Sequence, residues 1–280
     1  MSTRVLFAHA TGLCKETWQP VMSALQGSSA HHFDFKGHGS RSSEALNTNP
    51  STWDTFAVAD VFNALGALPG EGPIVGCGHS FGGAAMLKAE VAKPGTFSAL
   101  VLCEPILLDH DIALADPAPL ADRATKRRAE WESRDEARAY FLQKPMFQGW
   151  EPAALEGYLS GGLLGNSPCR LACTPQSEAA CYRGVGRALT DAELNDVQCP
   201  VIIIVGRESH HLDARQKGAT VSEESPTATV AYFQGLAAKL PRGAVALAPG
   251  GHFHPQERPG IIASAVNAAV RAVQRGHSRL

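Results

Sequence analysis

The sequence predicts an α/β fold in which a mostly parallel sheet carries helices on both faces. Apolar runs of strand length alternate with helix-forming segments along most of the 280 residues, as in consecutive βαβ units. One such run, residues 74–77, passes through a glycine-rich turn directly into a helix-forming stretch at 82–93. A chain of this length can form one large α/β domain with a sizeable core.

The elements follow from these runs in order. We expect strands near residues 4–9, 31–35, 73–77, 98–103, 200–205 and 243–248, and helices near 17–26, 53–66, 82–93 and 258–275. The stretch from about 105 to 197 breaks the alternation, because it is first rich in charge and helix formers and then in Gly, Pro and aromatic residues. We therefore expect a core of residues 1–104 and 198–280 and an inserted unit of residues 105–197.

Composition excludes several classes of function. The chain is 44% apolar and 19% charged, which is ordinary for a globular protein. A net charge of −2 and the lack of a basic stripe argue against nucleic-acid binding. The longest apolar runs have strand length, so we expect no membrane span. The first predicted strand is reached by Val5, which leaves no room for a signal peptide.

The seven cysteines indicate neither a disulfide framework nor a metal site. Cys77, Cys103 and Cys199 lie in or beside predicted strands, where a free cysteine acts as a small apolar residue. The remaining cluster, at 169, 173 and 181, matches no zinc spacing and has no histidine nearby. We expect a reducing compartment and no metal or cofactor.

The pattern Gly-x-Ser-x-Gly at residues 78–82 is the most informative motif. It lies between a predicted strand and a predicted helix, which is the context of a nucleophile elbow. There a serine hydroxyl stands clear of a strained turn, and the flanking glycines allow strand and helix to approach closely. Ser80 is therefore the candidate nucleophile; the alternative is an ordinary turn serine before a helix.

Three further motifs occur in a fixed order around this one. They are His-Ala-Thr-Gly at 9–12, Asp-x-x-Gly-His-Gly-Ser at 34–40 and Gly-Gly-His-Phe at 250–253. With them the chain resembles the α/β-hydrolase superfamily over residues 3–104 and 198–275. The resemblance implies an α/β-hydrolase fold with a helical cap inserted after the family's sixth strand. The antiparallel hairpin that usually opens the family's sheet is missing here, so we expect a smaller sheet.

The resemblance also implies the base of a catalytic triad. A serine needs a base to take its proton, and the chain order of the fold places the histidine last. His252, in the Gly-His-Phe pattern, is the preferred base, and His254 is its rival. His79 is expected to be structural and to point away from the base.

The acid departs from the common family pattern. The slot that often holds an aspartate after the seventh strand contains His210, which cannot supply a buried negative charge. Glu104 ends an apolar strand, and some α/β-hydrolases take their acid from that position. We favour Glu104 over Glu208 and Asp213, while a role in capping the strand or bridging to the inserted unit remains the alternative.

The oxyanion hole is expected to use two backbone N–H groups. One belongs to Phe81, directly after the candidate nucleophile at the start of a helix. The other comes from the His9–Gly12 turn, with Thr11 preferred, while His9 braces the turn. Large apolar residues of the inserted unit, most of them aromatic, would line a substrate pocket or pack the unit onto the core; they are Trp131, Phe141, Met146, Phe147, Trp150 and Tyr158.

The activity implied by these residues is a cofactor-free serine hydrolase that cleaves a carboxylic ester, lactone or thioester through an acyl-enzyme. Its partner would be a small-molecule acyl substrate. A serine at position 80 argues against the dehalogenase and epoxide-hydrolase branches, which use aspartate there. A C–C bond hydrolase of the vinylogous diketone type shares the same motifs. A non-catalytic binding protein is the third interpretation, because the acid is displaced.

The chain ends in Ser278-Arg279-Leu280, which resembles the peroxisomal Ser-Lys-Leu address. Together with the Glu-Pro pair at 104–105 and the opening motif, this ending resembles fungal peroxisomal α/β-hydrolases, including ones tied to toxin biosynthesis. The resemblance implies a peroxisomal import receptor as a partner if the source is eukaryotic, and a cytoplasmic location otherwise.

Overall fold

A single parallel sheet forms the centre of the protein. The computed structural model describes residues 2–44, 46, 53–107, 118–184, 188–209 and 228–277. In these residues six strands lie in the order β2-β1-β3-β4-β8-β9, and each neighbouring pair is parallel. They are β1 (Thr3–Ala8), β2 (Ser28–Phe33), β3 (Ile74–His79), β4 (Ala99–Cys103), β8 (Val201–Gly206) and β9 (Gly243–Ala248).

Helices cover both faces of this sheet. One apolar cluster packs the helices Trp53–Gly66 and Phe81–Ala92 against one face, and a second packs the helix Pro259–His277 against the other. None of the described helices has the length and apolar composition needed to cross a membrane. The core helices are α1 (Gln19–Ser23), α2 (Trp53–Gly66), α3 (Phe81–Ala92), α9 (Asp191–Asn195), α10 (Ala228–Ala238), α11 (His254–Glu257) and α12 (Pro259–His277), with 3-10 turns at Lys15–Trp18 and Gly39–Arg41.

The segment between β4 and β8 contains helices together with a small sheet of its own. The described helices are α4 (Ala118–Thr125), α5 (Arg134–Leu142), α6 (Pro145–Gln148), α7 (Pro152–Gly161) and α8 (Pro175–Arg183). Its three antiparallel strands are β5 (Glu130–Trp131), β6 (Leu163–Gly165) and β7 (Cys169–Leu171). This sheet was not predicted from the sequence, because strands of two or three residues show no recognisable alternation of apolar and polar residues.

Aromatic residues of this segment pack onto the loop that follows β1. Trp131, Phe141 and Tyr158 are buried in one apolar cluster with Ala10 and Leu13. The rings of Phe141 and Tyr158 meet edge to face, with centroids 5.3 Å apart. Packing, one of the two roles expected for these aromatics, therefore applies to most of them.

The six core strands predicted from the sequence are all present, and the fold class is confirmed. The β2 strand begins three residues earlier than expected, at Ser28, because this polar edge strand is only half buried and shows no clear apolar pattern. The α10 helix was not predicted. Its sequence is apolar on more than one face, so it lacks the periodicity that marks an amphipathic helix.

All seven cysteines are buried free thiols, which agrees with the expected role as small apolar residues. Burial raises the pKa of the Cys103 thiol well above its usual value. In the part of the chain that is described, no cluster of three or more His, Cys, Asp or Glu side chains is arranged to hold a metal ion.

The register of the central strands brings three strand ends together. His79, the last residue of β3, pairs with Cys103, the last residue of β4. The Ser80 N–H donates to the Cys103 carbonyl over 2.8 Å, and the Glu104 N–H donates to the Ile204 carbonyl of β8 over 3.0 Å. Residues directly after β3, β4 and β8 therefore meet at the carboxyl edge of the sheet, where ligands bind in open α/β sheets.

Candidate active site

Ser80 lies on a strained turn between β3 and α3. Its backbone has φ of 54° and ψ of −115°, a conformation that residues other than glycine rarely adopt. The turn is tight because helix and strand touch: a Cβ at Gly82 would lie 2.4 Å from the Ala8 carbonyl oxygen, and one at Gly78 would lie 2.6 Å from the Gly83 Cα. Ser80 thus has the backbone conformation of a nucleophile elbow.

This close approach predicts that a side chain at Gly82 will lower the stability of the fold. Gly82→Ala should lower the free energy of unfolding by about 1–3 kcal/mol or prevent folding, because the added methyl group meets backbone atoms that cannot rotate away. Gly235→Ala is the matched control: Gly235 lies inside α10 with no atom within 4 Å of an added Cβ, so alanine should stabilise the helix by about 0.5–1 kcal/mol. Urea unfolding measures both values. Equal stability of the two variants would contradict the prediction.

His252 lies between Ser80 and Glu104. Its Nε2 is 3.1 Å from the Ser80 Oγ, and its Nδ1 is 2.7 Å from the Glu104 Oε2. Its side chain is 20% exposed, whereas that of Glu104 is fully buried. The structure therefore joins three predicted site residues in one hydrogen-bonded chain that runs from a buried carboxylate to a hydroxyl.

Glu104 is held by two partners that the sequence analysis did not identify. The Gly206 N–H donates to Oε1 and the Ser209 hydroxyl donates to Oε2, each over 2.8 Å. Glu104 also has a positive φ of 40°, which is uncommon for a side chain of its size. These donors offset the cost of burying a carboxylate. The position of Ser209 just after a predicted core strand was the only signal that could have pointed to it.

The rival acids are placed differently. Glu208 is exposed, and its carboxylate accepts a hydrogen bond from the Gly250 N–H. Asp213 and His210 lie outside the described residues. The described residues thus place the Glu104 carboxylate, rather than that of Glu208, against His252 Nδ1.

The two neighbouring histidines are buried. His254, the rival base, has its Nδ1 3.1 Å from the Gly251 carbonyl oxygen and 3.8 Å from a Glu104 oxygen. The Nε2 of His79 donates to the His252 carbonyl over 2.9 Å, so the prediction that His79 points away from the base was wrong. Burial, together with His252 and His254, holds the pKa of His79 well below its usual value. A neutral His79 therefore supports the loop that carries His252.

The turn after β1 is held by a buried histidine of the 34–40 motif. The Gly12 N–H donates to His38 Nε2 over 3.1 Å, while His38 Nδ1 donates to the Lys36 carbonyl over 3.0 Å. This pattern needs a neutral ring, and burial accordingly lowers the pKa of His38 to about 4. His38 therefore fixes the turn that contains Thr11.

His9 supports the same turn from inside. Its Nε2 accepts the Phe35 N–H over 3.1 Å, and its Nδ1 donates to the Ala10 carbonyl over 2.8 Å. Because Nε2 accepts the Phe35 N–H, it has no proton to donate to the Asp34 carboxylate 3.7 Å away, and burial lowers the pKa of His9. These bonds agree with the expected bracing role of His9.

Asp34 ties the two loops together. Its carboxylate accepts the backbone N–H groups of Lys15 and Ser40 over 2.8 and 2.9 Å, and the Lys15 ammonium over 2.7 Å. Burial alone would raise the pKa of Asp34, but the positive charge that His9 acquires in acid, the Lys15 ammonium and the backbone donors outweigh it and lower that pKa to about 2. Asp34 is therefore ionised at neutral pH and anchors the loops beside the site.

A cavity of about 300 Å³ lies beside the turn after β1. Its lining residues include Thr11 of that turn and Phe253, the chain neighbour of His252. Its other walls come mainly from the segment between β4 and β8 and include Phe141, Met146 and Phe147. Three of the six residues predicted for this role thus line a cavity, which was the second role expected for that set.

One charged pair lies in the wall of this cavity. The guanidinium of Arg127 forms a salt bridge with Glu178 and donates to the Tyr158 hydroxyl over 3.1 Å. The Glu178 carboxylate packs directly against Gly12. A Cβ added to this glycine would lie 3.1 Å from the carboxyl carbon of Glu178. The sequence analysis did not identify this pair, since residues 51 positions apart in the least readable part of the chain offered no motif.

Comparison with known proteins identifies the family. The sequence profile of the Alpha/beta hydrolase family matches residues 5–265. The chain belongs to the α/β hydrolase family. This assignment confirms the resemblance inferred from the four motifs, and it makes hydrolase chemistry the activity to examine at the carboxyl edge of the sheet.

Curated relatives of this α/β hydrolase match it over part of their length. The abhydrolase domain-containing protein AFT2-1 of Alternaria alternata is 32% identical over 84 residues, covering 30% of this chain and 31% of the relative. Lipase LipV of Mycobacterium tuberculosis is 33% identical over 143 residues, covering 47% of this chain and 52% of the relative. The chain therefore spans about a third to about half of the length of these relatives. The Alternaria protein agrees with the fungal resemblance.

Solved structures share the fold over nearly the whole chain. The peroxisomal α/β-hydrolase Lpx1 of Saccharomyces cerevisiae superimposes with a TM-score of 0.74 at 19% identity, covering 97% of this chain and 77% of its own. E-2-(acetamidomethylene)succinate hydrolase gives a TM-score of 0.73 at 20% identity, with coverage of 96% and 92%. The thioesterase domain from the curacin biosynthetic pathway gives 0.68 at 18%, with coverage of 95% and 90%. At these identities the likeness establishes the fold alone.

Proposed function

We propose that this α/β hydrolase is a serine hydrolase that cleaves a carboxylic ester, lactone or thioester through an acyl-enzyme. The observation that carries the proposal is the hydrogen-bonded chain Ser80–His252–Glu104, with distances of 3.1 and 2.7 Å. These are the contacts that a nucleophile, its base and the group that orients the base require. A binding protein without catalysis would need neither the strained Ser80 nor a buried carboxylate behind His252.

The proposed reaction has two steps. Glu104 accepts a hydrogen bond from the Nδ1–H of His252 and so keeps Nε2 free to take the proton of Ser80. The Ser80 oxygen attacks the acyl carbon, and His252 returns the proton to the leaving alcohol or thiol. A water molecule then loses a proton to His252 and attacks the acyl-enzyme, which releases the acid and restores Ser80.

We propose that the backbone N–H groups of Phe81 and Thr11 bind the oxyanion. Phe81 is the first residue of α3, so its N–H lies at the positive end of the helix dipole. The contact of Gly82 with the carbonyls of Ala8 and His9 brings that helix end beside the turn that carries Thr11. The bond from Gly12 to His38 then holds this turn in place without a change on substrate binding.

We propose that residues 105–197 act as a cap over a core of residues 1–104 and 198–280. The described part of this segment supplies most walls of the cavity beside Thr11 and packs its aromatic cluster on the loop after β1. A cap in this place excludes water from the acyl-enzyme and selects the substrate by the shape of the cavity.

The choice among substrates is open to a direct test. Hydrolysis of matched p-nitrophenyl butyrate, butyryl thioester and γ-lactone substrates should identify at least one that is turned over with saturation kinetics, and a vinylogous diketone tests the C–C bond alternative. Loss of turnover in Ser80→Ala, with unchanged circular dichroism, assigns the activity to this site. Full activity of Ser80→Ala would refute the proposal.

If the source is eukaryotic, we further propose that the protein is imported into peroxisomes through Ser278-Arg279-Leu280. These residues lie outside the described ones. Support comes from the sequence of the terminus and from the peroxisomal location named for the structural neighbour Lpx1. A fluorescent protein fused to the N-terminus should give a punctate signal that becomes diffuse when the last three residues are deleted. A punctate signal that survives the deletion would overturn this proposal.

A further inference from the structure

The cavity beside Thr11 has more positive than negative side chains in its walls. Three cations line it, Arg123, Arg127 and Lys144, whereas Glu178 is the one acidic residue found among its described lining residues. Most of the remaining wall is apolar. A cavity of this kind favours a ligand that is apolar over most of its length and carries a negative charge.

The charge of Arg127 is already compensated. Its guanidinium forms a salt bridge with Glu178, and both side chains are largely buried, with exposures of 22% and 10%. The Tyr158 hydroxyl accepts a further hydrogen bond from the same guanidinium. This cluster is a fixed polar part of the wall, so Arg127 contributes little free positive charge to the cavity.

Arg123 and Lys144 are different. Both side chains are exposed although both line the cavity, which places them where it opens to solvent. Neither forms a salt bridge with any acidic side chain in the described ranges. The Lys144 ammonium lies 4.2 Å from the centre of the Tyr140 ring, and that aromatic face orients the charge without neutralising it. Two exposed cations from the ends of different helices, neither of which has an ion-pair partner among the described residues, therefore line the same cavity.

We propose that the substrate carries a carboxylate, which Arg123 and Lys144 bind at the opening of the cavity while the scissile bond lies at the Thr11 end. The substrate class is thus the half-ester, or the corresponding half-thioester, of a dicarboxylic acid, or an ester of a carboxylated alcohol. The cavity volume of about 300 Å³ is at the lower limit for small-molecule sites, which fits a short chain. This inference rests on the proposed serine hydrolase activity.

The test compares charged and neutral substrates of the same shape. Mono-p-nitrophenyl adipate is paired with its methyl ester, and 4-butyryloxybenzoate is paired with its methyl ester. In at least one pair the anionic member should have a kcat/KM about tenfold higher, because a charge-assisted contact is strong when partly desolvated. Raising the salt concentration from 0.05 to 0.5 M should reduce this preference, since the cations are exposed.

Substitutions connect the preference to the two residues. Arg123→Gln and Lys144→Gln should each lower the anionic-to-neutral ratio of kcat/KM, mainly through KM, and the double variant should abolish the preference. Lys126→Gln is the matched control, because Lys126 is an exposed cation just beyond α4 that does not line the cavity. The ratio should stay at its original value in that variant. Neutral and anionic esters hydrolysed equally well in both pairs would overturn the inference and leave the hydrolase proposal intact.

A binding measurement separates the inference from turnover. The Ser80→Ala protein should bind mono-p-nitrophenyl adipate more tightly than its methyl ester in isothermal titration calorimetry, and adding Lys144→Gln should remove the difference. Equal binding of the two esters would contradict the inference even if no ester is hydrolysed. If the proposed hydrolase activity is itself wrong, the protein should neither hydrolyse any of these esters nor be labelled by a fluorophosphonate.

Discussion

Ser80→Ala is expected to lower kcat by at least ~10³-fold while the protein folds normally. The serine oxygen is the atom that bonds to the acyl group in the proposed reaction, and it is the hydroxyl that lies against His252 Nε2 in the described part of the chain. Loss of one small oxygen should not disturb folding, because the turn is held by the backbone bonds of Ser80 to Cys103 and Ile106. Steady-state kinetics and thermal unfolding measure the two effects.

Covalent labelling gives a second measurement of the same prediction. A fluorophosphonate should add one phosphonyl group to the intact protein, and peptide mapping should place it on Ser80. Ser264→Ala is the matched control, because Ser264 is an exposed helical serine whose hydroxyl bonds to the Gly260 carbonyl. That variant should be labelled like the unchanged protein. An unlabelled protein, or an adduct on another serine, would end the case for Ser80 as nucleophile.

Glu104→Gln is expected to reduce kcat by roughly 10³–10⁴-fold. The uncharged amide cannot stabilise the imidazolium that forms when His252 takes the serine proton. An amide N–H facing Nδ1 would also favour the tautomer with its proton on Nε2, which cannot accept from Ser80. Because glutamine has nearly the same shape, its amide oxygen can still accept from the Gly206 N–H, while its amide nitrogen can donate to the Ser209 hydroxyl, so the protein should remain folded.

The controls for this prediction are the other two candidate acids. Glu208→Gln should change kcat by less than about threefold, because Glu208 is exposed and its described partner is the Gly250 N–H. Asp213→Asn should have an equally small effect. A large loss in Glu208→Gln or Asp213→Asn, combined with a mild effect of Glu104→Gln, would show that the orienting carboxylate had been assigned wrongly.

The sequence predicted secondary structure and motifs correctly where the residues that define them are neighbours in the chain. Their apolar runs predicted β3, β4 and β8 as strands, and all three are buried almost throughout. Ser80 was identified because strand, turn and helix are contiguous around it. The half-buried β2 was placed three residues late, and α10 and the small sheet were missed, because their sequences carry no clear period.

The sequence by itself determined the α/β class, the elbow at Ser80 and a short set of candidate partners. Each of these depends on neighbouring residues, whose spacing decides which face or turn they occupy. Only the tertiary structure decided which carboxylate lies against His252, because the Glu104–His252 contact joins residues 148 positions apart. Only the tertiary structure likewise showed that the His79 side chain bonds to the His252 carbonyl and that the His38 side chain accepts the Gly12 N–H. It also brought together the Arg127–Glu178 pair in the cavity wall. Distances between remote residues depend on strand order and register, which the packing of the whole sheet sets.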